Sequence, residues 1–148
     1  MASRPEELAD ELVEARRAFF AAIDTRDPNQ KMAGDWGALE VIAHLGYWAG
    51  HAADAIHAAE QGTEATFGPS TIEIEERDAT VARVARQTDL RTVKRREAAS
   101  VEALLERIRR LDQSLLERTL GDGVTLEFEI RGDGALHYRK HLDELPPA

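Results

Sequence analysis

The residues best able to do chemistry lie close together near the end of the chain, in His137-Tyr138-Arg139-Lys140-His141. On a helix, four residues advance the chain by roughly 400°, so two imidazoles at this spacing sit about 40° apart and one turn up. Both rings can then reach one metal ion, for which neutral imidazole is a common ligand. The same spacing also describes two solvated side chains on an exposed helix face, and the pair alone leaves both readings open. Three more histidines, His44, His51 and His57, occur in the first half. His44 adjoins Leu45 on an apolar stripe, which suits either a ligand or a core-edge imidazole hydrogen-bonded to a neighbouring helix. His51 falls seven residues later on about the same face, whereas His57 points well away. Exposed positions are expected for these two.

Composition narrows the chemistry further. The chain of 148 residues contains no cysteine, which excludes disulfides, thiolate zinc sites, iron–sulfur clusters and a cysteine nucleophile. Any metal must therefore take histidine, carboxylate or backbone oxygen. A net charge of −9 argues against broad nucleic-acid binding, which needs a basic footprint. With 43% hydrophobic and 32% charged residues, the chain has enough apolar side chains to fold rather than remain disordered. No apolar run approaches the roughly 20 residues of a membrane span. Met1-Ala2-Ser3-Arg4-Pro5-Glu6-Glu7 lacks the apolar core of a signal peptide and reads as a capped helix start. A single domain over residues 1–148, in the cytoplasm, is the expectation.

The elements that must position the histidines are helical. Ser3 is an N-cap candidate, and Leu8, Leu12, Ala15, Phe19 and Ile23 step by three or four, ending before Asp27-Pro28. A second helix is expected over Ala38 to Ala59, with Asp35 as its cap and Gln61-Gly62 as its stop. A polar helix follows over Thr71 to Arg86. Ser100 precedes a third main stripe, Val101, Leu104, Leu105, Ile108, Leu111, Leu115 and Leu116. Val124 to Ile130 alternates as a short strand does, although it also suits the start of the last helix. Arg131-Gly132-Asp133-Gly134 interrupts it, and a final helix carries Ala135 to Leu145. Four main helices with short connections make an antiparallel, all-α bundle.

Lesser candidates have two readings each. Glu40, one turn before His44, suits a carboxylate orienting that imidazole, a base, or a plain surface charge. Trp48 and Tyr138 suit a pocket wall or the core. Lys94-Arg95-Arg96 and Arg107-Arg109-Arg110 read as solvated faces. Nothing resembles a phosphate loop, a nucleophile elbow or a paired-carboxylate site.

Two segments resemble a known family. Trp36-Gly37-Ala38-Leu39-Glu40-Val41-Ile42-Ala43-His44-Leu45-Gly46-Tyr47-Trp48 is similar to the tryptophan-led second helix of the DinB-like, damage-inducible superfamily. Ile130 to His141 is similar to that family's last helix, with its Gly-Asp pair followed by His-Tyr and a second histidine. Gly37 stands where the family usually has serine. The resemblance implies a four-helix bundle in up-down-down-up order, with an extra helix in the crossover connection. It also implies a divalent metal, nickel, zinc or iron, on His44, His137 and His141. Related branches include thiol-dependent transferases and a colibactin-resistance group that hydrolyses a reactive cyclopropane, and the last helix leans toward the second. The break at Gly134 would set His137 near a helix N-terminus, where the dipole favours the neutral imidazole.

The expected function is a metal-dependent hydrolase or thiol-dependent transferase acting on an electrophilic small molecule. Its thiol would be a separate low-molecular-weight cofactor. The alternative is a non-enzymatic small-molecule-binding bundle or a structural homodimer. Neither nucleic acid nor membrane is expected as a partner.

Overall fold

A computed structural model describes residues 1–148, and apart from two isolated β-bridges its regular structure is helical. The all-α class expected from the sequence is what the structure shows. In chain order the helices are α1 (Arg4–Ile23), α2 (Ala38–Gln61), α3 (Thr71–Ala85), α4 (Leu90–Arg110), α5 (Leu126–Asp133) and α6 (Ala135–Glu144). Short 3-10 turns cover Glu64–Thr66 and Gln113–Glu117. No helix is long and apolar enough to cross a membrane.

Helix ends follow local chemistry. Ser3 accepts a hydrogen bond from the Glu6 backbone N–H while Glu6 reaches back to Ser3, so two orphan donors of α1 are satisfied reciprocally. Asp35 does not cap α2. The cap position is Gly37, whose N–H is taken by Glu40 Oε2 at 2.9 Å, while Asp35 pairs with Lys31 in the preceding loop. Glu40 is therefore a helix-capping residue that also meets Arg86, and it makes no hydrogen bond to His44.

Two expected boundaries are corrected. The third main helix starts at Leu90, ten residues before the Ser100 that precedes the apolar stripe, with Asp89 accepting from the Thr92 N–H at 2.8 Å. Its buried face runs Val93, Glu97, Val101, Leu104 and Ile108. A carboxylate in the second of those positions hides the helical period from any hydropathy pattern. The helix also stops at Arg110, leaving Leu115 and Leu116 to the following 3-10 turn. Nor is Val124 to Ile130 a strand. Thr125 caps α5 by accepting from the Phe128 N–H, and Leu126, Glu129 and Ile130 form its buried face while Phe128 is exposed. The charged residues behind the alternation have partners: Glu127 binds Arg4, and Glu129 lies beside His51.

Helix α2 occupies the centre, packing on α3, α4 and α5, while α1 lies against α4 and α6. Its face is rich in alanine, and Gly46 lets it press closely onto α4. A Cβ at Gly46 would stand 2.9 Å from Glu97 Cα. The core runs from Leu8 and Leu12 through Ile42, Leu45 and Ile56 to Leu104, Ile108 and Leu126.

Within this core lies one fully buried carboxylate. Glu97 is 1% exposed and receives Arg16 through three contacts of 2.6, 2.8 and 3.2 Å. The Tyr138 hydroxyl donates to its Oε2. Burial, and then the charge of Glu97, push the Tyr138 phenol well above its ordinary value, so it remains a donor. Removing one partner of such a group leaves the others uncompensated. Glu97→Ala is expected to cost about 3–5 kcal/mol, because it strands Arg16 and the tyrosine hydroxyl. Tyr138→Phe removes one hydrogen bond to a charged group and is expected to cost about 1.5–3 kcal/mol. Urea unfolding checks both, and equal midpoints for wild type and Glu97→Ala would contradict this account.

Candidate metal centre

His44 comes from the second turn of α2, and His137 and His141 come from α6. Gly134 makes that second placement possible. A Cβ there would lie 2.6 Å from the Ile130 carbonyl oxygen, so only glycine fits the break between α5 and α6. The break makes His137 the third residue of α6, with His141 one turn on. Trp36 packs its ring against the His44 imidazole at 5.0 Å, which gives the tryptophan of the sequence motif a physical task.

The three Nε2 atoms converge. His44 Nε2 stands 2.9 Å from His137 Nε2, which stands 3.2 Å from His141 Nε2. Ligand nitrogens of all three lie within 4.8 Å of one another. Two nitrogens each about 2.0–2.1 Å from one ion, at angles between square and tetrahedral, are roughly 2.8–3.4 Å apart. Protons alone satisfy this trio poorly. A neutral Nε2 carries either one proton or one lone pair, and His137 Nε2 has two close partners. One cation accepting three lone pairs satisfies all of them, so the donor set fits a divalent ion.

Burial keeps these rings neutral, the form that ligates. It lowers His44 to about 4 from 6.5, against the partial opposition of Asp78. It lowers His137 further, assisted by its two histidine neighbours. His141 moves the same way, again chiefly through burial, with Glu144 opposing. Their Nδ1 atoms are buried without an aligned hydrogen-bond partner. Two of them nonetheless face carboxylates, His44 Nδ1 at 3.2 Å from Asp78 and His141 Nδ1 at 3.1 Å from Glu144.

A cleft of about 240 Å³ opens on two of the three, His44 and His137, with Trp48, Asp78, Asp133 and Lys140 among its other walls. A separate, more apolar cleft of about 270 Å³ lies between α2, α3 and α4 and contains none of the histidines.

His51 departs from expectation. It is buried rather than exposed, because α5 packs over it and delivers two carboxylates. Its Nδ1 lies 2.8 Å from Asp133 Oδ2 and 3.1 Å from Glu129 Oε1. Burial would lower His51, but its hydrogen bonds to Asp133 and Glu129, and then their charges, hold it up at about 9. Asp133 is pushed upward by burial, which outweighs the pull of His51. These three also form a group able to hold a metal. Their contacts, however, close on one another around a shared proton instead of on a vacant point. Sequence reasoning missed this cluster because Glu129 lay in the segment that alternates like a strand and Asp133 in the glycine-flanked interruption after it.

Of the remaining candidates, Trp48 reaches the cleft and the others do not. His57 is exposed. Trp48 lines the cleft and donates to Asp78 at 2.7 Å, whereas Tyr138 belongs to the core. Lys94, Arg107 and Arg110 pair on the surface with Asp24, Glu60 and Glu106. Comparison with family models, curated proteins and solved structures finds no match to this chain.

The depressed imidazoles make stability depend on pH in a defined direction. Between 6.5 and about 4, His44 binds a proton in the unfolded chain but not in the folded, metal-free one. It therefore favours folding above that window and opposes it progressively as pH falls through it. His44→Gln is expected to reduce the acid slope of unfolding free energy by about one proton. Urea titrations of metal-free protein between pH 4.5 and 6.5 test this, and an unchanged slope would contradict it.

Proposed function

We propose that this chain is a DinB-like four-helix bundle carrying one divalent metal on His44, His137 and His141. In this reading α1, α2, α4 and the broken pair α5–α6 make the bundle in up-down-down-up order. Helix α3 then belongs to the crossover connection. The activity is hydrolysis of, or thiol transfer to, an electrophilic small molecule held in the cleft. The observation that carries the proposal is the convergence of three Nε2 atoms, at 2.9 and 3.2 Å, beside a cleft lined by His44 and His137.

A nickel, zinc or iron ion bound there supplies a Lewis acid that makes a bound water or thiol a stronger nucleophile at neutral pH. The chain's own residues do the rest. The three imidazoles bring no charge, so they would diminish a bound cation's Lewis acidity less than carboxylate or thiolate donors would. Asp133 lines the cleft wall, and its Oδ2 is held by the His51 Nδ1–H at 2.8 Å. Trp48 and Ile74 give the cleft an apolar side for the body of a small molecule, while Lys140 sets a cation at its edge. A thiol nucleophile must come from a separate small cofactor, because the chain has no cysteine.

Metal analysis of protein purified without a histidine tag tests the proposal. One equivalent of divalent metal per chain is expected. Saturating zinc or nickel should raise thermal stability, by about 2.7 kcal/mol when free metal exceeds Kd roughly 100-fold. His141→Ala should abolish binding and His57→Ala should leave it intact. Equal losses from both variants would disqualify this triad. Absence of stoichiometric metal together with no thermal gain would remove the proposal altogether.

A further inference from the structure

Helix α3 is held unlike the others. Its chief contacts are with α2 alone, its buried residues are only Ala82 and Ala85, and Ile72, Ile74 and Val84 remain open to solvent. So little apolar burial anchors a 15-residue helix weakly. Its strongest polar anchor is Asp78, and that anchor sits at the histidine site. Asp78 Oδ1 accepts the Trp48 indole N–H at 2.7 Å and lies 3.2 Å from His44 Nδ1. The latter atom is buried and lacks an aligned acceptor.

Where the His44 proton resides is settled at the opposite nitrogen. A neutral imidazole carries one proton, on either Nδ1 or Nε2. While His44 Nε2 faces only His137 Nε2, the proton can serve that contact. When the Nε2 lone pair is given to a cation, the proton must occupy Nδ1, and Asp78 is the carboxylate beside it. A charge-assisted hydrogen bond then ties α3 to α2 directly over the cleft. We propose that Asp78 couples the histidine site to α3, holding this helix more tightly over the cleft when a divalent cation is bound than when it is absent. The inference rests on the three-histidine metal reading and adds a positioning residue that acts through His44. Linkage makes the coupling reciprocal: the factor by which metal tightens α3 is the factor by which Asp78 tightens metal.

Hydrogen exchange on the full chain, with and without zinc, reads this coupling. In wild type, zinc should slow exchange across residues 71–85 by about tenfold, the scale of one hydrogen bond to a charged group. In Asp78→Ala, saturating zinc should still bind one equivalent but leave α3 exchange unchanged, and zinc Kd should rise by a factor matching the lost protection. Trp48→Phe removes the static tether instead. It should speed α3 exchange in both states while retaining the zinc-dependent slowing. If zinc binds wild type and α3 does not slow, or slows equally in Asp78→Ala, the coupling is wrong. Failure of wild type to bind zinc would overturn the metal reading, and this inference with it.

Discussion

Everything in this molecule is arranged around a carboxylate that cannot reach water. Glu97 lies at 1% exposure in the middle of α4, and an ionised group there is stable only when fully paired. Arg16 of α1 supplies the countercharge, and Tyr138 of α6 supplies a further donor. Gly46 of α2 supplies the room, since any larger residue would collide with the Glu97 backbone. One charge thus fixes the relative placement of four helices. Hydrophobic burial provides the bulk of the driving force, but it is non-directional. The hydrogen bonds to Glu97 have one geometry. Tyr138 stands between His137 and His141 in the chain, so the bond that satisfies Glu97 also sets the rotation of α6. The two imidazoles are aimed by a contact in the core, on an adjacent face of their own helix.

Two histidine clusters one cleft wall apart have opposite electrostatics for the same underlying reason. Burial penalises a charged imidazole wherever it occurs. At His44, His137 and His141 nothing outweighs it, and the rings stay neutral with their Nε2 atoms directed at one another. At His51, two carboxylates from α5 reverse the outcome and hold the ring protonated. The chain break at Gly134 keeps the clusters apart. On an unbroken helix, Asp133 and His137 would be neighbours one turn apart on a common face. The break lets Asp133 end α5 facing His51, while His137 starts a new helix facing His44.

The parts visible in the sequence are those that depend on local pattern. The stripes of α1 and α2, the Ser3 cap, the start of the last helix at Ala135 and the pairing of His137 with His141 need only spacing and a few side-chain rules. The hidden parts depend on partners distant in the chain. Glu97 masks ten residues of α4 because its burial makes sense only with Arg16 and Tyr138 in place. The alternation of Leu126, Phe128 and Ile130 mimics a strand because Glu127 and Glu129 are polar. Yet Arg4 takes the first, and His51 lies beside the second. His51 reads as a surface residue on α2 until α5 is laid over it. Glu40, beside His44 in sequence, spends its carboxylate on the Gly37 N–H, while the carboxylate beside His44 comes from α3.

That last substitution bears on how the proposed centre would be tuned. Neutral imidazoles leave a divalent ion's charge uncompensated among its nearest neighbours, and compensation passes outward to whatever carboxylates face the rings. Here these are Asp78 and Glu144, each on a ring nitrogen remote from the convergence point. Glu144 rides on the same helix as its histidine, so its position follows automatically. Asp78 rides on the helix with the least buried surface, and its contribution depends on that helix being docked. The strength of the proposed centre would therefore be tied to the most weakly anchored helix in the fold. A chain without cysteine, relying on uncharged nitrogen donors, would hold its metal best with the cleft covered. Opening the cleft to a small molecule would loosen the same carboxylate that steadies His44.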